Sequence, residues 1–203
     1  MPGAGTAVTP PVTTPTSSRR GRRGREDVLT TATALFHERG YEATSMSDIA
    51  ARLGFTKAAL YRHVESKAQL LRAVTQPVRD DVRALLGASD TGTGAPLDRL
   101  VGLLRGVADA AAHDPARHAL FWAAGGEPGP GNPDAACRTA VVRRLTELLE
   151  RAACSGDIRS DIDAGLTARL LLGACTGSVP PVSSSDVDVL LDGPLRRPAG
   201  AGS

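Results

Sequence analysis

The chain has 203 residues, 41% of them apolar and 3% aromatic, with a formal net charge of +2. That length suits one ordinary domain, or a small domain joined to a larger one, and the scarcity of rings makes Leu, Val and Ala the core formers. No apolar run reaches the roughly 18 residues of a membrane span, and the uncharged Pro/Thr/Ser-rich start does not read as a secretory leader. A cytoplasmic protein without membrane association is expected.

The charge is unevenly spread. Residues 1–72 carry 11 basic and 6 acidic side chains, and residues 73–203 carry 13 and 16. A basic first third on a mildly acidic remainder points to a polyanion partner for the first part only. Cys137, Cys154 and Cys175 show neither C-x-x-C spacing nor a Cys/His cluster; they read as small buried side chains in a reducing compartment.

Residues 1–18 hold almost no apolar anchor and are expected to form a disordered tail. The glycine-broken run "RRGRRGR", residues 19–25, reads as a basic arm that lies along phosphates or enters a minor groove, or else as a solvated flank. Helical periodicity begins at Glu26, with Val28, Leu29, Ala32, Leu35 and Phe36 on one stripe. Gly40 ends this helix. Ser45 and Asp48 form a capping box that opens a second helix at Met46, which carries Met46, Ile49, Ala50 and Leu53 inward. Gly54 stops it. Thr56 caps a third helix, from Lys57 to about His63, and Ser66 with Gln69 opens a fourth. Two short helices separated by a glycine-containing turn form a helix-turn-helix. Its second helix presents Lys57, Ala58, Tyr61 and Arg62 outward.

The remainder reads as helix throughout. Leu70, Leu71, Val74, Val78, Val82, Leu85 and Leu86 form a long stripe over about 67–87. Pro77 lies inside it and cannot donate to the carbonyl of Ala73, so a kink or break is expected there. Further helices are expected at 97–112, 115–124 and 137–153, with a loop at 125–134. Leu166, Leu170 and Ala174 mark the next helix, and Val187, Val189, Leu190 and Leu191 a short last one at 185–191. The four histidines are scattered, and no G-x-S-x-G, P-loop or H-E-x-x-H motif occurs. Neither catalysis nor a metal or other cofactor is expected.

Across "RGYEATSMSDIAARLGFTKAALYRHVESKAQLL" the chain resembles the TetR family of bacterial repressors. The matching residues are Phe36, Gly40-Tyr41, Thr44-Ser45, Ile49-Ala50, Gly54-Phe55-Thr56, Leu60-Tyr61, His63-Val64, Ser66-Lys67 and Leu70-Leu71, spanning about residues 25–72. Phe55 and Val64 stand where the family has Val and Phe. The resemblance implies an all-α fold. An N-terminal three-helix DNA-binding domain (25–72, motif 45–64) would precede a helical effector and dimerisation domain (73–194), with a disordered tail at 195–203. It also implies a homodimer on a double-stranded, palindromic operator, released by a small molecule. Control by a protein partner, or by no ligand, is the alternative.

Every basic side chain outside histidine is arginine except Lys57 and Lys67, which flank the recognition helix. Lysine is a flexible point donor and arginine a planar fork, so both lysines are assigned to DNA. Lys67 stands near where family members grip a phosphate. Tyr61 and His63 match the family's backbone-contact residues, with core packing as the alternative for each. Arg62 is placed to bond guanine O6 and N7, or a second phosphate. Ala58 offers a methyl contact. Ser45 and Thr56 stand at helix starts that attract phosphate, or act purely as caps. Phe121 and Trp122 are assigned to an effector cavity among the helices at 67–87, 97–112, 115–124 and 137–153, with ordinary core packing as the alternative. Leu166, Leu170, Val187 and Leu190 are the apolar residues assigned to the dimer interface.

Overall fold

Several helix starts in this chain are set by side chains that accept hydrogen bonds from otherwise unpaired backbone N–H groups. The computed structural model describes residues 17–123, 129, 131–177 and 187, with side-chain surroundings from Gly24 onward. Among the described residues there are eight helices and no strand: α1 (Ser17–Arg39), α2 (Met46–Leu53), α3 (Lys57–Tyr61), α4 (Lys67–Thr91), α5 (Pro96–His113), α6 (Pro115–Ala123), α7 (Pro133–Ser155) and α8 (Ala164–Gly177). The expected all-α class is therefore observed. Ser45 caps α2 through a full capping box, accepting from Asp48 N at 3.1 Å while Asp48 Oδ2 accepts from Ser45 N at 2.8 Å. Thr56 caps α3 by accepting from Ala59 N, and Ser66 caps α4 by accepting from Gln69 N. Asn132 does the same for α7, with Pro133 at its first position.

Several boundaries differ from the sequence reading. The helix expected from Glu26 begins at Ser17, so the 19–25 arm is part of α1. Arginine is a good helix former, extension of an existing helix is cheap, and the two glycines cost only about 1 kcal/mol each. The third helix ends at Tyr61, with Arg62 as its C-cap. Helix α4 runs unbroken through Pro77, so the expected break is absent. The tail at 1–16, residues 124–128 and 130 of the loop, and the segment from 178 onward apart from Val187 lie outside the described residues.

Two apolar clusters divide the structure. Val28, Ala32, Leu35 and Phe36 of α1 pack with Ile49, Leu60, Leu70, Val74 and Leu120. Val78 and Val82 of α4 pack instead with Leu100, Leu104 and Val107 of α5, Phe121, and Val141, Leu145 and Leu148 of α7. Helices α4 and α6 serve both clusters. In α4 the change comes between Val74 and Val78, around Pro77; in α6 it comes between Leu120 and Phe121. In α8 the buried residues are Ala168, Leu171, Leu172 and Cys175. Leu166 and Leu170 point the other way and are 48% and 65% exposed. Val187, assigned to a dimer interface, is instead buried in the second cluster.

The sequence stripes did not reveal the polar groups that tie α7 to α4. Asp134, in the first turn of α7, accepts from Thr75 Oγ1 at 2.6 Å and pairs with Arg79, all three buried. At the far end of α4, the carbonyl of Ser89 accepts from Arg99 Nε at 2.8 Å and from Arg144 Nη2 at 2.5 Å, and Arg144 also pairs with Asp90 at 3.0 Å. Cations at a helix C-terminus satisfy its last carbonyls and complement its dipole. Cys137 and Cys175 are buried and Cys154 is exposed. Burial pushes the Cys175 thiol up to about 11.

Removing one member of a buried ion pair strands the other charge, which typically costs about 3–5 kcal/mol. Asp134→Ala is expected to lower the unfolding free energy by that order in urea titrations. The double variant Arg79→Met/Asp134→Leu, which leaves no stranded charge, is expected to recover most of the loss.

Candidate nucleic-acid interface

The short helix α3 is held by one residue. Leu60 is its only buried side chain and sits fully enclosed among Ile49, Phe36 and Leu70 in the first cluster. Lys57, Ala58, Tyr61 and Arg62 are exposed. Lys57 and Arg62 make no hydrogen bond or ion pair among the described residues, so both cations are unengaged. Gly54 makes the turn between α2 and α3 possible. It takes φ 68° and ψ 23°, a left-handed conformation that costs glycine nothing. The N–H of Phe55 then returns to Ala50 O at 2.8 Å. The turn closes with α3 projecting from the body of the domain, the arrangement that places a recognition helix in a major groove.

The flanking residues divide by what they touch. Ser45 donates its hydroxyl to Asp48 Oδ2 at 2.6 Å, and Thr56 accepts from Ala59 N at 3.1 Å, so both hydroxyls cap their helices. The hydrogen bonds from Ser45 hold the Asp48 carboxyl below its ordinary range. The imidazole of His63 is half-buried and stacks on Phe55 at 6.1 Å between ring centroids. On its other side is Gly24 of α1, where an added Cβ would come within 3.2 Å of His63 Cε1. That packing supports the structural alternative for His63. Phe55 is thereby given a partner, which accounts for the large residue where the family has Val.

Lys67 is engaged inside the protein. Its ammonium donates to Glu42 O at 3.2 Å and stands 4.2 Å from the centroid of the Tyr41 ring. A compact ammonium fits above a ring and keeps further N–H donors for a phosphate. Desolvation, then the charge of Glu42, raises the Tyr41 phenol above its ordinary value, against a smaller lowering by Arg72. The site thus joins the turn after α1 to the start of α4. A second tie in this turn was missed in the sequence. Thr44 is buried and donates toward Leu35 O at 3.2 Å and Gly40 O at 2.9 Å. Its place in the Thr-Ser pair was visible, but its hydroxyl partners depend on how the turn folds.

Of the two residues assigned to an effector cavity, Phe121 is fully enclosed in the second cluster, edge-on to Trp122 at 5.0 Å. Trp122 lines a cavity of about 510 Å³ whose walls come from α5, α6, α8 and the end of α1. Helices α4 and α7 do not contribute to this cavity, in contrast to the expected location. Among the described residues there is no group of three His, Cys, Asp or Glu side chains able to hold a metal ion, and no helix long and apolar enough to cross a membrane.

The capped pair α2–α3, the single buried anchor of α3 and its free cations define a helix-turn-helix DNA-binding protein. The sequence model described as "Bacterial regulatory proteins, tetR family" matches residues 28–74. The transcriptional repressor KstR2 of Rhodococcus jostii is 30% identical over 178 residues, 81% of this chain and 81% of its own. The chain belongs to the TetR family, as a DNA-binding transcriptional regulator. Its fold is shared with the ketosteroid transcriptional regulator KstR2 of Mycobacterium tuberculosis, with a TM-score of 0.71 at 24% identity over 86% of this chain and 96% of that one. AibR, solved with isovaleryl coenzyme A and operator DNA, is similar at a TM-score of 0.67 and 25% identity, covering 83% and 96% of the two chains.

Thr44→Val keeps the shape of the side chain and deletes both of its bonds. The buried carbonyl of Leu35 and the part-buried one of Gly40 lose a donor, so a stability loss of about 1–3 kcal/mol is expected in thermal and urea melts.

Proposed function

We propose that the chain is a homodimeric repressor that binds a palindromic operator and leaves it when a small molecule binds. The observation that carries this reading is the size of α3. Its five residues reach few base pairs, and a dimer presenting two such helices to two half-sites supplies the missing specificity. The exposed leucines of α8 support a dimer. A soluble helix that buries one face and still exposes Leu166 and Leu170 carries the apolar side chains an interface needs. Small-molecule control is supported by the sharing of α4 and α6 between the two clusters, and by the ligand and DNA held together by the similar AibR.

In this reading Lys57, Ala58, Tyr61 and Arg62 meet the major groove, with Arg62 on a guanine. Lys67 meets a flanking phosphate, and Ser45, Thr56 and His63 hold the elements that border it, the two hydroxyls as caps and the imidazole by packing on Phe55. Phosphate contacts set affinity for all sequences, whereas base contacts set preference.

Arg62→Ala is expected to cost about 1–3 kcal/mol on a duplex that the protein itself enriches from a random library, and to relax preference at one base pair. Lys67→Ala is expected to weaken enriched and random duplexes alike and to reduce the salt slope by about one. An equal loss on both duplexes for Arg62→Ala would remove it from base reading.

Leu166→Glu/Leu170→Glu is expected to give a monomer by light scattering at micromolar concentration, with helical content retained and the enriched duplex bound more weakly. A double variant that stays dimeric would move the interface off this face of α8.

A further inference from the structure

Two buried nitrogens have no hydrogen-bond partner among the described residues: Nδ1 of His118 and Nε1 of Trp122. A buried polar group left unpaired is destabilising, so each calls for a partner. The two residues are four apart on α6, so they share one face of that helix. Their rings also share a cavity of about 510 Å³, with Ala111 of α5, Cys175 and Thr176 of α8 and His37 of α1 on the opposing walls. That volume falls in the usual range of small-molecule sites.

The lining narrows the chemistry. Among the described residues, no lysine, arginine, aspartate or glutamate lines the cavity, so a charged ligand would meet a largely apolar wall there without a salt-bridge partner. His118 is 2% exposed, and burial lowers its pKa against smaller opposing effects of Asp114 and Asp81. Burial thus favours the neutral imidazole, in which Nδ1 can serve either as donor or as acceptor. The indole Nε1 can only donate.

We infer that this cavity is the effector site, and that it takes a compact, largely apolar, uncharged molecule whose carbonyl-type oxygen accepts hydrogen bonds from Trp122 Nε1 and His118 Nδ1. The inference rests on the small-molecule control proposed above and adds a location and a ligand class to it. As the rings stand, neither nitrogen is open to the cavity, so a ligand oxygen reaches them only when the rings turn. Both rings ride on α6. Between them lies Leu120, which packs in the cluster that holds α1 and α3. Next to it α6 borders a second cavity, of about 710 Å³, bounded by the turn after α1. Ala119 and Ala123 line both cavities. The helix thus has space to move toward the DNA-binding elements when its rings turn to meet a ligand.

The test uses the full chain and two matched probes: γ-decalactone, a neutral lactone, and 4-hydroxydecanoate, its ring-opened carboxylate. Trp122 is the only tryptophan, so its emission reports occupancy directly. The lactone is expected to shift emission saturably and to bind about tenfold or more tighter than the carboxylate. His118→Leu is expected to weaken lactone binding by about tenfold. Ala123→Leu, at an exposed position whose longer side chain fills the cavity, is expected to abolish the response without unfolding the protein. No response to the lactone, an equal response to both probes, or binding unchanged in both variants would overturn the inference. Fluorescence anisotropy of an enriched duplex separates the two proposals. Lactone binding that depends on His118 but leaves the DNA bound would overturn small-molecule release and keep the site. Release of DNA by the lactone that ignores both variants would overturn the site and keep release.

Discussion

The structure depends on α4 belonging to two cores at once. Leu70 and Val74 are fixed among the residues that hold α2 and α3, and Val78 and Val82 among α5, α6 and α7. One rigid rod therefore sets the relation between the recognition helix and the rest of the molecule. Between the two sets stands Pro77, which removes one rung of the hydrogen-bond ladder while the helix continues past it. The locally weakest backbone of the rod thus coincides with the change of core.

Further polar ties lie around that point and at the far end of α4. Arg79, Thr75 and Asp134 join α4 to the first turn of α7 just around Pro77, and Arg144 with Arg99 secures the carbonyls at the end of α4. On the other side, the start of α4 is tied by Lys67 to the turn that leads into α2. Apolar contact holds the helices together with little directional preference, whereas these bonds fix register. A one-turn slip of α7 along α4 would strand Asp134 in an apolar setting, and the cost of an unpaired buried charge forbids it.

Much of this was legible in the sequence because its causes are local. Capping residues, glycines and apolar stripes act over a few positions, and Ser45, Thr56, Ser66, Gly40 and Gly54 each mark a boundary seen in the structure. What failed was non-local or depended on context. The arm at 19–25 reads as a coil by its glycines, but a helix already nucleated downstream extends through it. In α8 apolar residues stand on both faces, so the sequence did not show that Ala168, Leu171, Leu172 and Cys175 face the core while Leu166 and Leu170 are left exposed, and Val187, grouped with them for an interface, is buried instead. Phe121 and Trp122 are neighbours in sequence but face different surroundings, one in the core and one at a cavity. Asp134 and Thr44 carry no local signal of burial; their partners lie 59 and 9 residues away.

In the proposed switch, the geometry of α3 would make a modest movement enough to control binding. Leu60 is its sole buried anchor, so α3 has no packing of its own with which to resist a change in the cluster around it. That cluster also contains Val74 of α4 and Leu120 of α6, the two points at which the effector half enters the DNA-binding half. A ligand that favours one arrangement of α6 need supply only its difference in affinity for the two arrangements, and each 1.4 kcal/mol of that difference is about tenfold in the population bound to DNA. In a dimer the same displacement acts at both recognition helices. A shift too small to break a contact within either half then mismatches the spacing of two half-sites fixed by the helical repeat of DNA.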